Sequence, residues 1–207
     1  MASKKTFSIS KSVSYGWDTA TKKLGFFIVL LIIIFAAQII PSLLTSILDY
    51  RNQEGVGFVV RIISWVIQLT VSLGSINVAL RIYDRKKTEY ADLFRKIGLI
   101  IPYFFGSIVY GLIVLVGLVL LIVPGIIWGI KYRYFVYYMV DRNMGPIDAL
   151  KASSKLTQGV KWKIFFLGLV LLVINILGIL CLVVGLFVTI PLSMMAEVYV
   201  YRKLQGK

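Results

Sequence analysis

The sequence predicts an all-α membrane protein: six transmembrane helices as three helical hairpins, each preceded by a short cytoplasmic surface helix, in a pseudo-threefold internal repeat. Three observations lead there. Apolar residues make up 59% of the 207 and charged residues only 15%, and the mean hydropathy is +0.88, more apolar surface than a soluble domain of this size hides. Six apolar stretches approach or reach the roughly 20 residues a helix needs to cross a hydrocarbon core about 30 Å thick. Lysine and arginine gather in alternate connections between them. The stretches lack strand-like alternation, so each is read as a helix, which satisfies its own backbone in lipid.

The first stretch, Leu24 to Leu48, follows "MASKKTF". It is too long for a signal h-region and has no clear small-residue cleavage site, so it is expected to remain as a span. The others run from Val60 to Ile82, Leu99 to Val123, Ile126 to Val140, Trp162 to Val184 and Leu186 to Tyr201. Lys4, Lys5, Lys11, Lys22 and Lys23 precede span one. Arg85, Lys86, Lys87, Arg95 and Lys96 separate spans two and three, Arg142, Lys151, Lys155, Lys161 and Lys163 separate four and five, and Arg202, Lys203 and Lys207 end the chain. The alternate connections are the loop "DYRNQEG", with Arg51 set against Asp49 and Glu54, and two apolar turns, "IVPG" and "LVVG". By the positive-inside bias this is a multi-pass protein of the cell membrane with cytoplasmic N- and C-termini.

The repeat shows in two alignments. "YDRKKTEYADLFRK" and "VDRNMGPIDALKAS" each leave the membrane at Asp-Arg and enter a short polar segment; Gly125 and Gly185 stand at the same distance before Arg142 and Arg202. A single integral membrane domain, residues 1–207, then divides into units of about 7–85, 86–142 and 143–205. Tyr90, Leu93, Phe94 and Ile97 have the i, i+3, i+4, i+7 spacing of an interfacial helix, and Ile9, Val13, Gly16 and Trp17 repeat it. The third polar helix starts at Pro146, which needs no amide partner there, with Asp148 in its first turn facing the helix dipole.

The formal net charge is +14, and the cations are spread over connections on one side without a nucleic-acid module. Membrane lipids, anionic ones, are therefore the expected partner, with no nucleic acid; each surface cation gains about 1 kcal/mol near such a leaflet. The topological bias alone accounts for much of this charge. No histidine is present and Cys181 is the one cysteine, which leaves no triad, zinc set or disulfide framework; no P-loop or Gly-x-Ser-x-Gly occurs. No enzyme activity, metal or cofactor is expected. Asp84 beside Arg85 and Asp141 beside Arg142 read as local pairs at helix exits rather than as headgroup catalysts.

"LLIVPGIIWGIKYRYFVYYMVDRNMGPIDALKASSKLTQGVKWKIFFL" resembles the central pattern of uncharacterised prokaryotic membrane proteins related to the membrane domain of glycerophosphoryl diester phosphodiesterases. That resemblance implies a six-helix membrane domain. The family's phosphodiesterase chemistry belongs to a separate soluble domain rich in histidine and acidic residues, so the activity does not carry over.

The same stretch holds Lys131 and Arg133 well inside span four. Arg133 lies roughly 12 Å and Lys131 roughly 15 Å from Asp141 at about 1.5 Å per residue. An isolated charge at the bilayer centre costs about 2.5–3.5 kcal/mol or more, so a partner is expected. Glu197 on span six aligns with Tyr137, one turn from Arg133 on the same stripe. Two readings are open: an Arg133–Glu197 pair holding hairpins in register while Lys131 snorkels outward, or an anion or headgroup site formed with Tyr132, Tyr134, Tyr137 and Tyr138. Gln38, Gln68, Asn77 and Asn175 read as interhelical hydrogen-bonding groups, and Gly125 and Gly129 as a close-packing step. The expected function is a non-catalytic domain that organises or senses the inner leaflet or anchors proteins. The alternative is a small transporter or channel for an anionic or lipidic solute, against which stands the expectation that no span is interrupted by a binding site.

Overall fold

The computed structural model describes residues 6–51, 54–181 and 184–206. The charge balance of Arg51 with Asp49 and Glu54, the "LVVG" turn, and Lys4, Lys5 and Lys207 rest on residues or side chains outside that set. Among the described residues all regular structure is helical: α1 (Ile9–Lys22), α2 (Leu24–Tyr50), α3 (Glu54–Tyr83), two 3-10 turns (Tyr90–Leu93 and Ile97–Leu99), α4 (Ile100–Leu120), α5 (Ile122–Tyr132), α6 (Phe135–Arg142), α7 (Pro146–Leu156), α8 (Lys161–Leu180) and α9 (Leu186–Leu204).

Among the described residues four helical stretches are long and apolar enough to cross a membrane: Leu24–Leu48, Gly55–Tyr83, Tyr90–Leu120 and Lys161–Leu180. They leave large apolar side chains uncovered, among them Ile40 and Leu43 on α2, Phe58 and Ile63 on α3, Leu115 and Val119 on α4, and Val173 and Leu180 on α8. Apolar exposure this continuous marks a surface meant for lipid. Burial concentrates towards one end of the molecule. On α3, Val71, Leu73, Val78, Ala79, Leu80 and Ile82 are buried whereas Phe58, Val59, Ile62 and Ile63 are exposed. At 1.5 Å per residue the 30 residues of α3 reach about 45 Å, longer than a hydrocarbon core about 30 Å thick, and its last turns lie in the packed end. That end collects the C-terminal turns of α3, α6 and α9 and is called the polar end below.

The remaining helices depart from the expected pattern. Span four is two helices, α5 and α6, interrupted at Arg133 and Tyr134, and neither piece alone is long enough to cross. The "IVPG" segment is the first turn of α5 rather than the connection, since Pro124 there gives up no hydrogen bond; Leu121, extended at φ −165° and ψ 147°, makes the turn from α4. Gly117 and Gly125 then bring α4 and α5 into backbone contact, a Cβ on Gly117 falling 2.8 Å from the Gly125 Cα. A Tyr110 hydroxyl also donates to the Gly129 carbonyl at 3.2 Å.

The three polar segments are not alike. α1 buries Ser12, Gly16 and Ala20, a small-residue face, and a Cβ on Gly16 would lie 2.4 Å from the Leu192 carbonyl oxygen of α9. Trp17, expected on an apolar stripe at the headgroup boundary, is exposed. The second segment forms 3-10 turns instead of an amphipathic helix, because Asp92 and Leu93 are held against α3: the Asn77 amide donates to the Asp92 carbonyl at 2.9 Å and Leu93 is fully buried over Gly74. Phe94 and Ile97 remain exposed, while Tyr90 stacks on Phe26 with ring centroids 4.8 Å apart. α7 starts at Pro146 as expected, but its buried face, Ala149, Leu150, Ser153 and Leu156, packs on α5 and α6 within the bundle.

Candidate functional site

The break in span four is built from side chains of α7. With a helix interrupted, the amides and carbonyls of the broken turn need new partners. The Tyr134 N–H donates to the Ser153 hydroxyl oxygen at 3.1 Å, and the Lys131 carbonyl accepts from Ser153 Oγ at 3.1 Å and from Thr157 Oγ1 at 3.0 Å. Ser153 and Thr157 are both fully buried. Two hydroxyls spaced i, i+4 on α7 thus stand in for the missing turn of the α5–α6 ladder.

At this break the Arg133 Nη2 donates to Glu197 Oε1 at 2.5 Å. The second carboxylate oxygen of Glu197 accepts from the Tyr134 hydroxyl at 3.0 Å. Glu197 and Tyr134 are buried, so the carboxylate has both oxygens satisfied by a cation and a phenol, the condition under which a buried charge is tolerated. Tyr137 packs on Tyr134 and Tyr201, with centroids 5.3 and 5.2 Å apart, and makes an aromatic wall for the pair. Lys131 lies apart, its Nζ 5.0 Å from the centre of the Tyr132 ring. Arg133, Glu197 and Tyr137 therefore come together, and Lys131 does not join them.

A second charged centre ties the polar end. Arg202, 1% exposed, donates from Nη1 and Nη2 to the two oxygens of Asp141 at 2.7 and 2.8 Å and from Nη2 to Asp84 at 2.7 Å. Tyr201 adds a hydroxyl bond to Asp141 at 3.1 Å. The helix-exit carboxylates are thus joined, but across helices through Arg202. Arg142 Nε keeps a 4.0 Å ion pair with Asp141, and its guanidinium also lies over the Tyr138 ring. Arg85 takes up the left-handed conformation that ends α3, at φ +55°. One guanidinium fork spans two carboxylates because its donors are planar and fixed. In the repeat alignment Arg202 corresponds to Arg85 and Arg142, and Tyr201 stands where the other units have aspartate. A unit with the cation but no acid beside it was the signal that Arg202 pairs elsewhere.

A third cluster, unforeseen from the sequence, holds the connection before α4. The fully buried Asp92 carboxylate meets Arg81 at 3.0 Å and Arg95 at 2.8 Å and accepts from the Glu89 N–H at 2.8 Å. On the opposite half of the bundle Asn175 donates to Ser193 at 2.8 Å, joining α8 to α9, and Gln38 and Gln68 line a shared α2–α3 cleft with Arg61. No group of three or more histidine, cysteine, aspartate or glutamate residues able to hold a metal occurs among the described residues.

Comparison with known proteins adds no reaction. No solved structure matches. Uncharacterized protein Mb2590 of Mycobacterium bovis is 27% identical over 97% of this chain and 69% of its own length. Uncharacterized protein Rv2560 of Mycobacterium tuberculosis is 26% identical over the same shares. Nothing in these matches links the chain to the membrane domain of glycerophosphoryl diester phosphodiesterases, the kinship that the Leu120 to Leu167 pattern had suggested. The family model described as "Protein of unknown function (DUF975)" matches residues 58–207, and the chain belongs to that family.

Proposed function

We propose that this chain is a non-catalytic, multi-pass membrane module that organises the anionic inner leaflet around its polar end. In this reading α2, α3, α4, the joined α5–α6, α8 and α9 are six spans in three units, and the termini are cytoplasmic. The carrying observation is the split between the two ends. Uncovered apolar side chains occupy the shafts of α2, α3, α4 and α8, whereas Arg202, Asp84, Asp141, Asp92 and Arg81 are buried or half-buried together where α3, α6 and α9 stop. Lys86, Lys87, Lys151 and Lys161 also belong to connections on that side, where anionic headgroups attract each by about 1 kcal/mol. The direct Arg133–Glu197 contact supports a packing role for the midspan cation.

One observation favours transport of an anionic solute: a span broken at a cation, the form that carrier binding sites take. The closure of that break by Ser153, Thr157 and Glu197 weighs against it. Native mass spectrometry of the detergent-released protein separates the two. With a panel of anionic and zwitterionic lipids, leaflet organisation predicts preferential retention of anionic lipid by both wild type and Arg133→Gln. Loss of one specific bound species in Arg133→Gln would favour the transport reading, and equal retention of zwitterionic lipid would overturn the leaflet role.

A further inference from the structure

The polar end contains a cavity of about 320 Å³ between α3, the α3–α4 connection, α6 and α9. Its walls include five cations, Arg81, Lys86, Arg95, Lys96 and Arg202, against two carboxylates, Asp84 and Asp141. Both of those carboxylates are engaged by Arg202, and the nearby Asp92 is shared by Arg81 and Arg95. Counting all three acids, the local balance is still two positive charges. Lys96 donates to the neutral Asn143 side-chain oxygen at 2.8 Å and also faces the charge of Asp141. Lys86 has no carboxylate partner among the described residues.

A buried donor points the same way. Arg202 Nε is fully enclosed and has no acceptor, although its two terminal nitrogens are saturated. Buried donors in folded proteins are nearly always paired, and this unpaired one belongs to a residue that lines the cationic cavity. The lining is mainly polar groups, unlike the larger apolar hollow between α5 and α8. Its volume is at the small end of ligand sites. Guanidinium forks supplemented by point-charge ammonium groups are the means by which proteins hold phosphate oxygens.

We propose that this cavity binds a phosphate group, carried either by a lipid headgroup or by a small soluble phosphate, with Lys96, Lys86 and Arg95 supplying the charge beside the Arg202 cluster. The assignment stands whether or not the polar end organises lipid.

The test uses the full chain in uncharged detergent, with binding read by isothermal titration calorimetry. The probes are inorganic phosphate, glycerol phosphate and a short-chain phosphatidic acid, with short-chain phosphatidylcholine as control. Wild type should bind at least one of the monoester or inorganic probes. Lys96→Gln and Lys86→Gln should each weaken that binding about tenfold, the loss of one charged contact, while Arg51→Gln, exposed between α2 and α3, leaves it unchanged. Comparable binding of all three phosphates identifies a soluble ligand; binding of phosphatidic acid alone identifies a headgroup. Because Lys86 and Lys96 are not in the buried Arg202 cluster, the unliganded melting temperature of either variant should match wild type, which separates lost binding from lost folding. No binding by any phosphate probe, or equal binding in wild type and both lysine variants, overturns the assignment.

Discussion

Replacing Arg202 with glutamine removes the guanidinium that bonds both Asp84 and Asp141. The glutamine cannot span the two carboxylates, so two acids that were each 2.7 Å from a guanidinium nitrogen are left facing one another. Deleting one member of a buried pair costs about 3–5 kcal/mol, because the charge left behind is uncompensated. Here the carboxylate side chains are 23% and 14% exposed and recover some hydration, which places the loss near the lower bound, about 3 kcal/mol. For a chain of this length a loss of that size lowers the melting temperature by roughly 6–12 °C. Thermal unfolding in uncharged detergent, followed by the fluorescence of the four tryptophans, measures it. Adding Asp141→Asn to Arg202→Gln removes the repulsion and should return a large part of the loss. Arg202→Lys, with charge but no fork, should fall between wild type and glutamine. A melting temperature for Arg202→Gln within 2 °C of wild type, or a further drop on adding Asp141→Asn, would refute the reasoning; the 2 °C limit is about what 1 kcal/mol moves.

Three further outcomes follow from the same geometry. Arg133→Gln and Glu197→Gln should each destabilise the protein, and the double variant should lose less than the sum, with a coupling of about 1–3 kcal/mol in a double-mutant cycle; simple additivity would mean the contact carries no energy. Ser153→Ala and Thr157→Val should each cost about 1–2 kcal/mol by denaturant or thermal unfolding, since the first leaves the Tyr134 N–H unpaired and the second removes one of two donors to the Lys131 carbonyl. Gly74→Ala should release the segment before α4, because the new Cβ would fall on the Leu93 backbone; limited proteolysis should then cut near Lys86 to Arg95, where wild type resists.

Much of the helical plan is legible in the sequence because apolar length, basic connections and a proline at a helix start are local signals. The proximity of Arg133 and Glu197 was reachable too, since aligning Tyr137 with Glu197 puts both on facing stripes. What escaped depends on groups far apart in the chain. No proline or glycine marks the break at Arg133 and Tyr134; the helix opens because Ser153 and Thr157, some 20 residues on, satisfy the freed backbone. Asp84 and Asp141 have arginines as immediate neighbours, and Arg142 does pair locally with Asp141 at 4.0 Å, but burial at the polar end adds the planar fork of Arg202 to both acids. On α1 the apolar spacing of Ile9 and Val13 pointed to one face, but the backbone approach of α9 requires the small residues Ser12, Gly16 and Ala20.

The placement of the polar end on the cytoplasmic side of a membrane-spanning bundle is tested most directly by cysteine labelling in intact cells. Cys181 is the one native cysteine, so Cys181→Ser provides a silent background for Arg51→Cys between α2 and α3 and for Lys151→Cys on α7, both at exposed positions. A membrane-impermeant maleimide should label the Arg51→Cys protein in intact cells and the Lys151→Cys protein only after permeabilisation. Labelling of Lys151→Cys in intact cells, with Arg51→Cys protected, would contradict the account.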